Sequence, residues 1–193
     1  MSEEMSEREF VKSYDPNKYE RPSIAADAIV FRYRDGQLEV LLIQRKNHPY
    51  KGRWVFPGGF IEVYEDPDDA VRRELKEETG VEADAMRQLG AFGDPKRDPR
   101  YHIISIAYIG VVAREKATAR AADDAADARW HSPDDTPPLG FDHDMILQRA
   151  LQRLREATRR PSFAQHFFRG DFSGADLHGL YEAVFGEKID GKR

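Results

Sequence analysis

Three glutamates crowd one short segment of this chain, "RRELKEETG" (Arg72–Gly80). Glu74 lies three positions before Glu77 and four before Glu78, so a helix would place all three carboxylates on one face. Like charges at that spacing destabilise a helix by roughly 0.2–0.5 kcal/mol per pair, unless a cation offsets them. Hard divalent cations such as Mg²⁺ prefer oxygen ligands of this kind and usually share their sites with phosphates. The cluster is therefore a candidate metal site, and a solvated helix face is the ordinary alternative.

A pair of glycines precedes this segment and could belong to the same site. Gly58 and Gly59 follow Pro57, and their lack of side chains lets the backbone approach a ligand closely. Between the glycines and the glutamates, Asp66 and Pro67 are typical of a helix start, and Gly80 is typical of a helix stop. The sequence thus predicts a glycine turn, a loop and then an acidic helix.

Other segments predict the elements that hold this helix. Apolar runs rich in β-branched residues predict strands, and apolar residues at a spacing of three and four predict helices. The expected strands are Ile24–Phe31, Leu38–Gln44, His102–Ala113 and Ala126–His131, with a short apolar segment at Trp54–Phe56; the expected helices cover Asp142–Arg159 and Gly174–Gly186. Because strands and helices mix without strict βαβ repetition, we predict an α/β fold with layered architecture.

The composition limits the class of protein. The chain has 193 residues, a formal charge of −5 and no cysteine. This length suits one domain with a small appendage, and the acidic balance argues against general nucleic-acid binding. No apolar run approaches the roughly 20 residues that span a bilayer, and the acidic N-terminus is not a signal peptide. We expect a cytoplasmic protein without membrane contact.

The glycine turn and the acidic helix together resemble the Nudix box, G-x5-E-x7-R-E-U-x-E-E-x-G-U with U an aliphatic residue. Every defined position is filled, by Gly59, Glu65, Arg73, Glu74, Leu75, Glu77, Glu78, Gly80 and Val81. This resemblance implies a Nudix-type α/β/α sandwich with a mixed sheet, which we expect over residues 21–160. Residues 1–20 would form an N-terminal arm, and residues 161–193 a short C-terminal helical extension.

The resemblance also implies roles for the residues of the box. Glu74, Glu77 and Glu78 would bind Mg²⁺ or Mn²⁺, with the Gly59 carbonyl as a further ligand. Arg73 would orient the glutamates, and Glu65 would support the box. The family cleaves a nucleoside diphosphate linked to another moiety, and a metal must bridge such a diphosphate to carboxylates that would otherwise repel it.

Segments outside the box are similar to the branch that contains ADP-ribose pyrophosphatases, nucleoside-diphosphate-sugar hydrolases and Nudix-related regulators of NAD metabolism. The most informative is "RDPR" (Arg97–Arg100), in which two guanidinium groups on a turn could grip phosphate. A charged turn before a strand is the alternative. We predict Arg97 and Arg100, with Gly58, as substrate-binding residues for a nucleotide sugar.

Two features leave alternatives open. The general base could be Glu77, or Asp124 or Asp127 in the loop "AADDAADA", whose acids could equally be solvated. Trp54, Phe56 and Phe60 could stack on a base, but we expect them mainly in the core.

The tail "FSGADLHGLYEAVFGEKIDGKR" resembles the opening of the winged-helix domain of the regulators and stops at Arg193, where a recognition helix should follow. We therefore expect a helical cap or dimer contact rather than DNA binding, and the branch implies a homodimer.

Overall fold

A computed structural model describes residues 5–113, 125–168 and 171–186. The helices are α1 (Glu7–Ser13), α2 (Pro67–Thr79), α3 (His143–Thr158), α4 (Pro161–Ala164) and α5 (Gly174–Phe185), and the strands are β1 (Ser23–Arg34), β2 (Gln37–Arg45), β3 (Trp54–Val55), β4 (Gly58–Phe60), β5 (Ala85–Phe92), β6 (Ile103–Val111) and β7 (Ala125–His131). All seven strands belong to one sheet.

The sheet is mixed. β1 pairs antiparallel with β2 and β4 and parallel with β6, while β2 also pairs with β3 and β7. β5 pairs antiparallel with β6, on the side of β6 opposite β1. A tight turn joins β1 to β2 at Asp35 and Gly36, which both have positive φ, as a two-residue hairpin requires. The predicted α/β fold with a mixed sheet is confirmed.

Helices cover both faces of the sheet. α2 buries Ala70, Val71 and Leu75 against one face, in a cluster that includes Val30 and Leu41. The other face is covered by α3, α4 and α5 and by the turn after α4, through side chains that are all buried: Ile146, Leu147, Leu151, Leu154, Ala164, Phe167, Leu180 and Val184. β1 and β2 supply residues to both clusters, because successive side chains of a strand point to opposite faces.

The acidic helix has the predicted ends. Asp66 accepts a hydrogen bond from the Asp68 N–H, Pro67 occupies the first turn, and Gly80 ends the helix in the left-handed conformation. Asp68 and Asp69 in the first turn also suit the positive end of the helix dipole. Local sequence therefore determines where the acidic face begins and ends.

Several elements differ from the sequence expectation. β4 and β5 were not expected, since the glycines of β4 and the mixed pattern "AMRQLGAF" lack a clear strand period, and the first 20 residues contain the exposed helix α1. Asp127 lies in β7, as the predicted strand Ala126–His131 requires, whereas Asp124 lies outside the described residues.

The predicted C-terminal helix is present as α5 and packs into the core. Gly179 leaves room for the Tyr33 hydroxyl, and Leu180 is fully buried. Nowhere in 5–113, 125–168 and 171–186 is a helix both long and apolar enough to span a bilayer.

Candidate active site

Arg73 is the centre of the polar network on α2. Its guanidinium donates to both oxygens of Glu65, at 2.7 and 2.9 Å, and to Glu74 at 2.7 Å. It also reaches Glu77 at 3.2 Å and the Phe60 carbonyl at 3.3 Å. One planar cation therefore ties the loop before α2 to two carboxylates of the helix, as the predicted orienting role requires.

The pKa values of Glu65 and Glu74 are shifted in opposite directions, although Arg73 contacts both carboxylates. The hydrogen bonds from Arg73 lower the pKa of Glu65 to about 2, and the same pairing raises the pKa of Arg73. Burial instead raises the pKa of Glu74, although its contact with Arg73 opposes the change. Glu65 thus forms a permanent ion pair, while Glu74 is a carboxylate whose charge is not fully compensated and which a cation would stabilise.

The glycine pair lies directly against the acidic helix. The Gly58 N–H donates to Glu78 at 2.8 Å. A Cβ on Gly59 would overlap the carboxylate of Glu74, and a Cβ on Gly58 would overlap the Ala26 carbonyl. Glycine at both positions is what allows the β4 backbone and the glutamates to share one site.

The glycines and the helix border a cavity of about 410 Å³. Its lining includes Gly59, Glu74 and Glu78, together with Arg45 and Arg73. Glu77 is not among the lining residues, and 59% of its side chain is exposed.

Each glutamate of the box has a donor within the chain, and no three carboxylate or histidine groups within residues 5–113, 125–168 and 171–186 converge as a ready-made metal cluster. The donor set of carboxylates and a backbone carbonyl nevertheless fits a hard divalent cation.

A second cavity of about 120 Å³ adjoins the first and shares Arg45, Gly58, Gly59 and Phe60 with it. Its other walls come from the turn at 97–100 and from the start of α3, and include Arg97, Arg100, Phe141 and His143. The structure thus places the two predicted arginines beside the glycine pair, although the sequence separates them by about 40 residues. The cavity that contains Glu74 and Glu78 and the cavity that contains Arg97 and Arg100 thus meet at Gly58 and Gly59.

The two arginines of the turn have different surroundings. Arg97 is buried, with 4% of its side chain exposed, and donates twice to Asp142, at 2.9 and 2.7 Å. Arg100 keeps 42% of its side chain exposed, pairs with Asp98 at 2.8 Å and lies 5.5 Å above the centre of the Phe60 ring. Both guanidinium groups therefore pair with an aspartate, and Arg100 donates to Asp98 at 3.0 and 2.8 Å, but only Arg100 is exposed enough to contact a ligand.

The aromatic residues of the segment 54–60 and Asp127, one alternative for the general base, have the following surroundings. Phe60 is about half exposed and not in the core, while Phe56 is buried and Trp54 partly buried as expected. Asp127 pairs with Arg129 at 2.5 Å.

Sequence reasoning missed Arg45, Phe141 and His143. Arg45 donates to the Pro49 carbonyl at 2.8 Å and lies 5.2 Å from the Phe141 ring. Burial lowers the pKa of Arg45, with the charge of Arg100 adding to the effect. The strand-end position of Arg45 beside a proline loop was the available signal, but no spacing rule joins it to the box.

The NUDIX domain model matches residues 22–151 of the chain. The chain is a member of the Nudix family. Nudix hydrolases generally depend on a divalent metal ion. The family explains why the acidic helix, the glycine pair and Arg73 occur together.

Among curated Nudix relatives, the chain is 39% identical to an ADP-ribose pyrophosphatase from Methanocaldococcus jannaschii, over 73% of this chain and 82% of that protein. It is 30% identical to an ADPR responsive transcriptional repressor, NtrR, from Acinetobacter baylyi, over 97% of this chain and 76% of that protein. Among solved structures, the NUDIX domain of Shewanella oneidensis NrtR complexed with ADP ribose superposes with a TM-score of 0.73. That match is 34% identical and covers 78% of this chain and 99% of the other.

Proposed function

We propose that this Nudix protein hydrolyses the phosphoanhydride of ADP-ribose, or of a related nucleoside diphosphate sugar, with Mg²⁺ or Mn²⁺. The observation that carries the proposal is the junction of the two cavities at Gly58 and Gly59. Carboxylates that suit a cation line one cavity and Arg100 lines the other, while Arg45 and Phe60, which suit phosphate and an aromatic base, lie where the two cavities meet. A nucleoside diphosphate has the same order of groups, and the relatives that act on or bind ADP-ribose favour this substrate.

The residues that would hold the metal are Glu74, Glu77 and Glu78, with the carbonyl of Gly59. A bound divalent ion supplies a Lewis acid for the diphosphate and lowers the pKa of an attacking water. Arg73 keeps Glu74 and Glu77 oriented, and Glu65 in turn fixes Arg73 through two hydrogen bonds.

The remaining roles fall to groups that are at least partly exposed. Arg45 and Arg100 add positive charge where the diphosphate would lie. Glu77 is the most exposed carboxylate of the box, so it can also receive the proton of the attacking water. Asp127 is less suited, because it pairs with Arg129 at 2.5 Å, a closer contact than the 3.2 Å between Glu77 and Arg73. Water adds to one phosphorus as the bridging P–O bond breaks, and ADP-ribose gives AMP and ribose 5-phosphate.

The test is to incubate the pure protein with ADP-ribose and either cation, and then with a panel of nucleotide sugars, dinucleotides and capped RNA. We expect fastest turnover with ADP-ribose and a large loss in Glu77→Gln. Product analysis in ¹⁸O water identifies the phosphorus that is attacked. Lack of turnover of every nucleotide sugar, with Glu77→Gln identical to the unmodified protein, contradicts the proposal.

A ligand-sensing regulator is the second candidate. The observation in its favour is that the match to the Acinetobacter repressor extends over 97% of this chain, beyond the Nudix domain and into the tail. The net charge of −5 argues against it. A gel shift at low salt on DNA upstream of the protein's own gene, which ADP-ribose alters, would support this candidate. Absence of any gel shift would contradict the regulator and leave the hydrolase as the candidate function.

We also propose that the protein is a cytoplasmic homodimer, with the tail at 161–193 as a helical cap on the domain. Analytical ultracentrifugation tests the oligomeric state, and a monomer at micromolar concentration contradicts the proposed homodimer.

A further inference from the structure

The buried pair Arg97–Asp142 joins two segments that are distant in the sequence. Arg97 belongs to the turn before β6, and Asp142 is the residue at which α3 begins. The bidentate geometry fixes both the distance and the orientation of the two groups, which a single contact would not do. The turn that carries Arg100 is therefore held to the start of α3.

The start of α3 is in turn joined to the glycine pair. His143 is buried, and its Nδ1 accepts the N–H of Phe56 at 3.0 Å. The imidazole also stacks on the Phe56 ring, with centroids 4.7 Å apart and planes 14° apart. Since Phe56 is followed directly by Pro57 and Gly58, the position of His143 determines where the glycine segment enters the site.

Asp27 completes the connection from the sheet. It lies opposite Gly58 in the β1–β4 register and accepts a short hydrogen bond from the Ser105 hydroxyl. Its carboxylate is 3.9 Å from both Arg97 Nη2 and His143 Nε2. Arg97 thus lies between two carboxylates whose segments both border the glycine pair.

We propose that Arg97 is a positioning residue, and that its ion pair with Asp142 sets the distance between the Arg100–Phe60 wall and the glutamate face of α2. This inference rests on the proposed function, and it assigns different roles to Arg97 and Arg100, which were both predicted from the sequence to bind substrate. Arg100 contacts the substrate, whereas Arg97 determines where the scissile diphosphate lies relative to the carboxylates. A shift of about 1 Å in such a position can reduce turnover about 100-fold without loss of binding.

The kinetic test compares Arg97→Gln, Asp142→Asn and their double variant with Arg100→Gln. For Arg97→Gln and Asp142→Asn we expect kcat to fall about 10- to 100-fold with KM changed less than about threefold. The double variant should be no slower than the slower single variant, because each single substitution already breaks the same ion pair. Arg100→Gln should instead raise KM about tenfold with a smaller effect on kcat. Arg97→Lys keeps the positive charge but cannot form the two parallel hydrogen bonds of a guanidinium group. It therefore replaces Arg97→Gln in this test if Arg97→Gln does not fold.

Arg32→Gln is the matched control. Arg32 forms a part-buried ion pair with Glu39 at 2.6 Å in the β1–β2 hairpin, and neither residue borders the two cavities. Loss of this ion pair should lower Tm while kcat and KM stay unchanged. If Arg97→Gln behaves in the same way, or if it raises KM alone as Arg100→Gln does, the positioning role is wrong.

Amide hydrogen exchange tests the same link without any turnover. The Gly58 N–H is hydrogen-bonded to Glu78, so its protection reports on the glycine segment. We expect exchange at Gly58 to be at least tenfold faster in Arg97→Gln and Asp142→Asn, and unchanged in Arg32→Gln. Unchanged exchange in all three variants overturns the inference even if the protein hydrolyses ADP-ribose. Conversely, an inactive protein with faster exchange refutes the hydrolase and leaves the link intact.

Discussion

Nη1 of Arg73 donates to Oε1 of Glu74 at 2.7 Å, although the two residues are neighbours in the same helix. This contact holds the carboxylate that lies against Gly59, and the rest of the guanidinium is fixed by Glu65. Arg73 therefore acts on the site through the glutamates that it orients. Residues that orient the ligands of a metal typically contribute 10- to 100-fold to metal affinity or activity.

We predict that Arg73→Gln lowers kcat with ADP-ribose by about 10- to 100-fold and weakens metal activation by a similar factor. Arg73→Lys should recover only part of this loss, because one ammonium cannot pair with both Glu65 oxygens and with Glu74. Metal titrations of the initial rate measure both effects. Arg72→Gln is the control, since Arg72 is exposed and is not part of this network. Equal loss in Arg72→Gln and Arg73→Gln would mean that net charge, and not orientation, controls the rate.

Gly59→Ala should abolish function with little effect on stability. Its Cβ would meet the end of the Glu74 side chain, which can rotate away, so we expect the free energy of unfolding to change by less than about 1 kcal/mol. The displaced carboxylate should reduce turnover at least about 100-fold. Urea denaturation and kinetics on the same samples check both parts. Gly174→Ala is the control, because a Cβ there meets open space, and it should change neither the turnover nor, by more than about 1 kcal/mol, the free energy of unfolding. Full activity in Gly59→Ala would contradict the proposal that the Gly59 backbone must lie close to Glu74.

Burial lowers the pKa of His143, although Asp27 nearby opposes the change. In the unfolded chain a histidine takes up a proton near pH 6.5. Between that pH and the lower pKa of the folded state only the unfolded chain is protonated, so the stabilising contribution of neutral His143 is complete above about pH 6.5 and is lost as the pH falls. We predict a slope of up to about 1.4 kcal/mol per pH unit from this proton.

The measurement is the free energy of unfolding by urea between pH 8 and pH 5, in the unmodified protein and in His143→Asn. Asn can still accept the Phe56 N–H but does not titrate, so the variant should show the smaller dependence on pH. Burial also lowers the pKa of His131, and that contribution should remain in both proteins. Identical slopes would show that His143 is protonated equally in the folded and unfolded states.

The acidic helix was predictable because its determinants are local. Asp66, Pro67 and Gly80 determine the ends of α2, and a fixed spacing places the glutamates. The long apolar strands β1, β2 and β6 were predictable for the same reason. β4 was not, since two glycines have no strand propensity and pair with β1 only because the fold brings them together.

The partners of the RDPR turn could not be predicted. Arg97 and Arg100 have the same side chain three positions apart, and only the position of Asp142, 45 residues away, shows that one of them is buried. Phe60 was expected in the core because it is aromatic, yet it lies half exposed beside Arg100. Non-local pairing therefore decides which of these side chains are exposed at the cavities, and local spacing along the chain does not reveal it.

The C-terminal helix should stabilise the whole domain. Leu180 of α5 is fully buried in the same cluster as Phe31, Ile146 and Leu154. We predict that Leu180→Ala lowers the free energy of unfolding by about 2–5 kcal/mol, because it removes buried surface and leaves a cavity. Met145→Ala on α3, where 55% of the side chain is exposed, should cost much less. Urea denaturation followed by fluorescence and by circular dichroism should give one coincident transition in each variant. Two separate transitions, or no change in Leu180→Ala, would show instead that α5 folds independently of the Nudix domain.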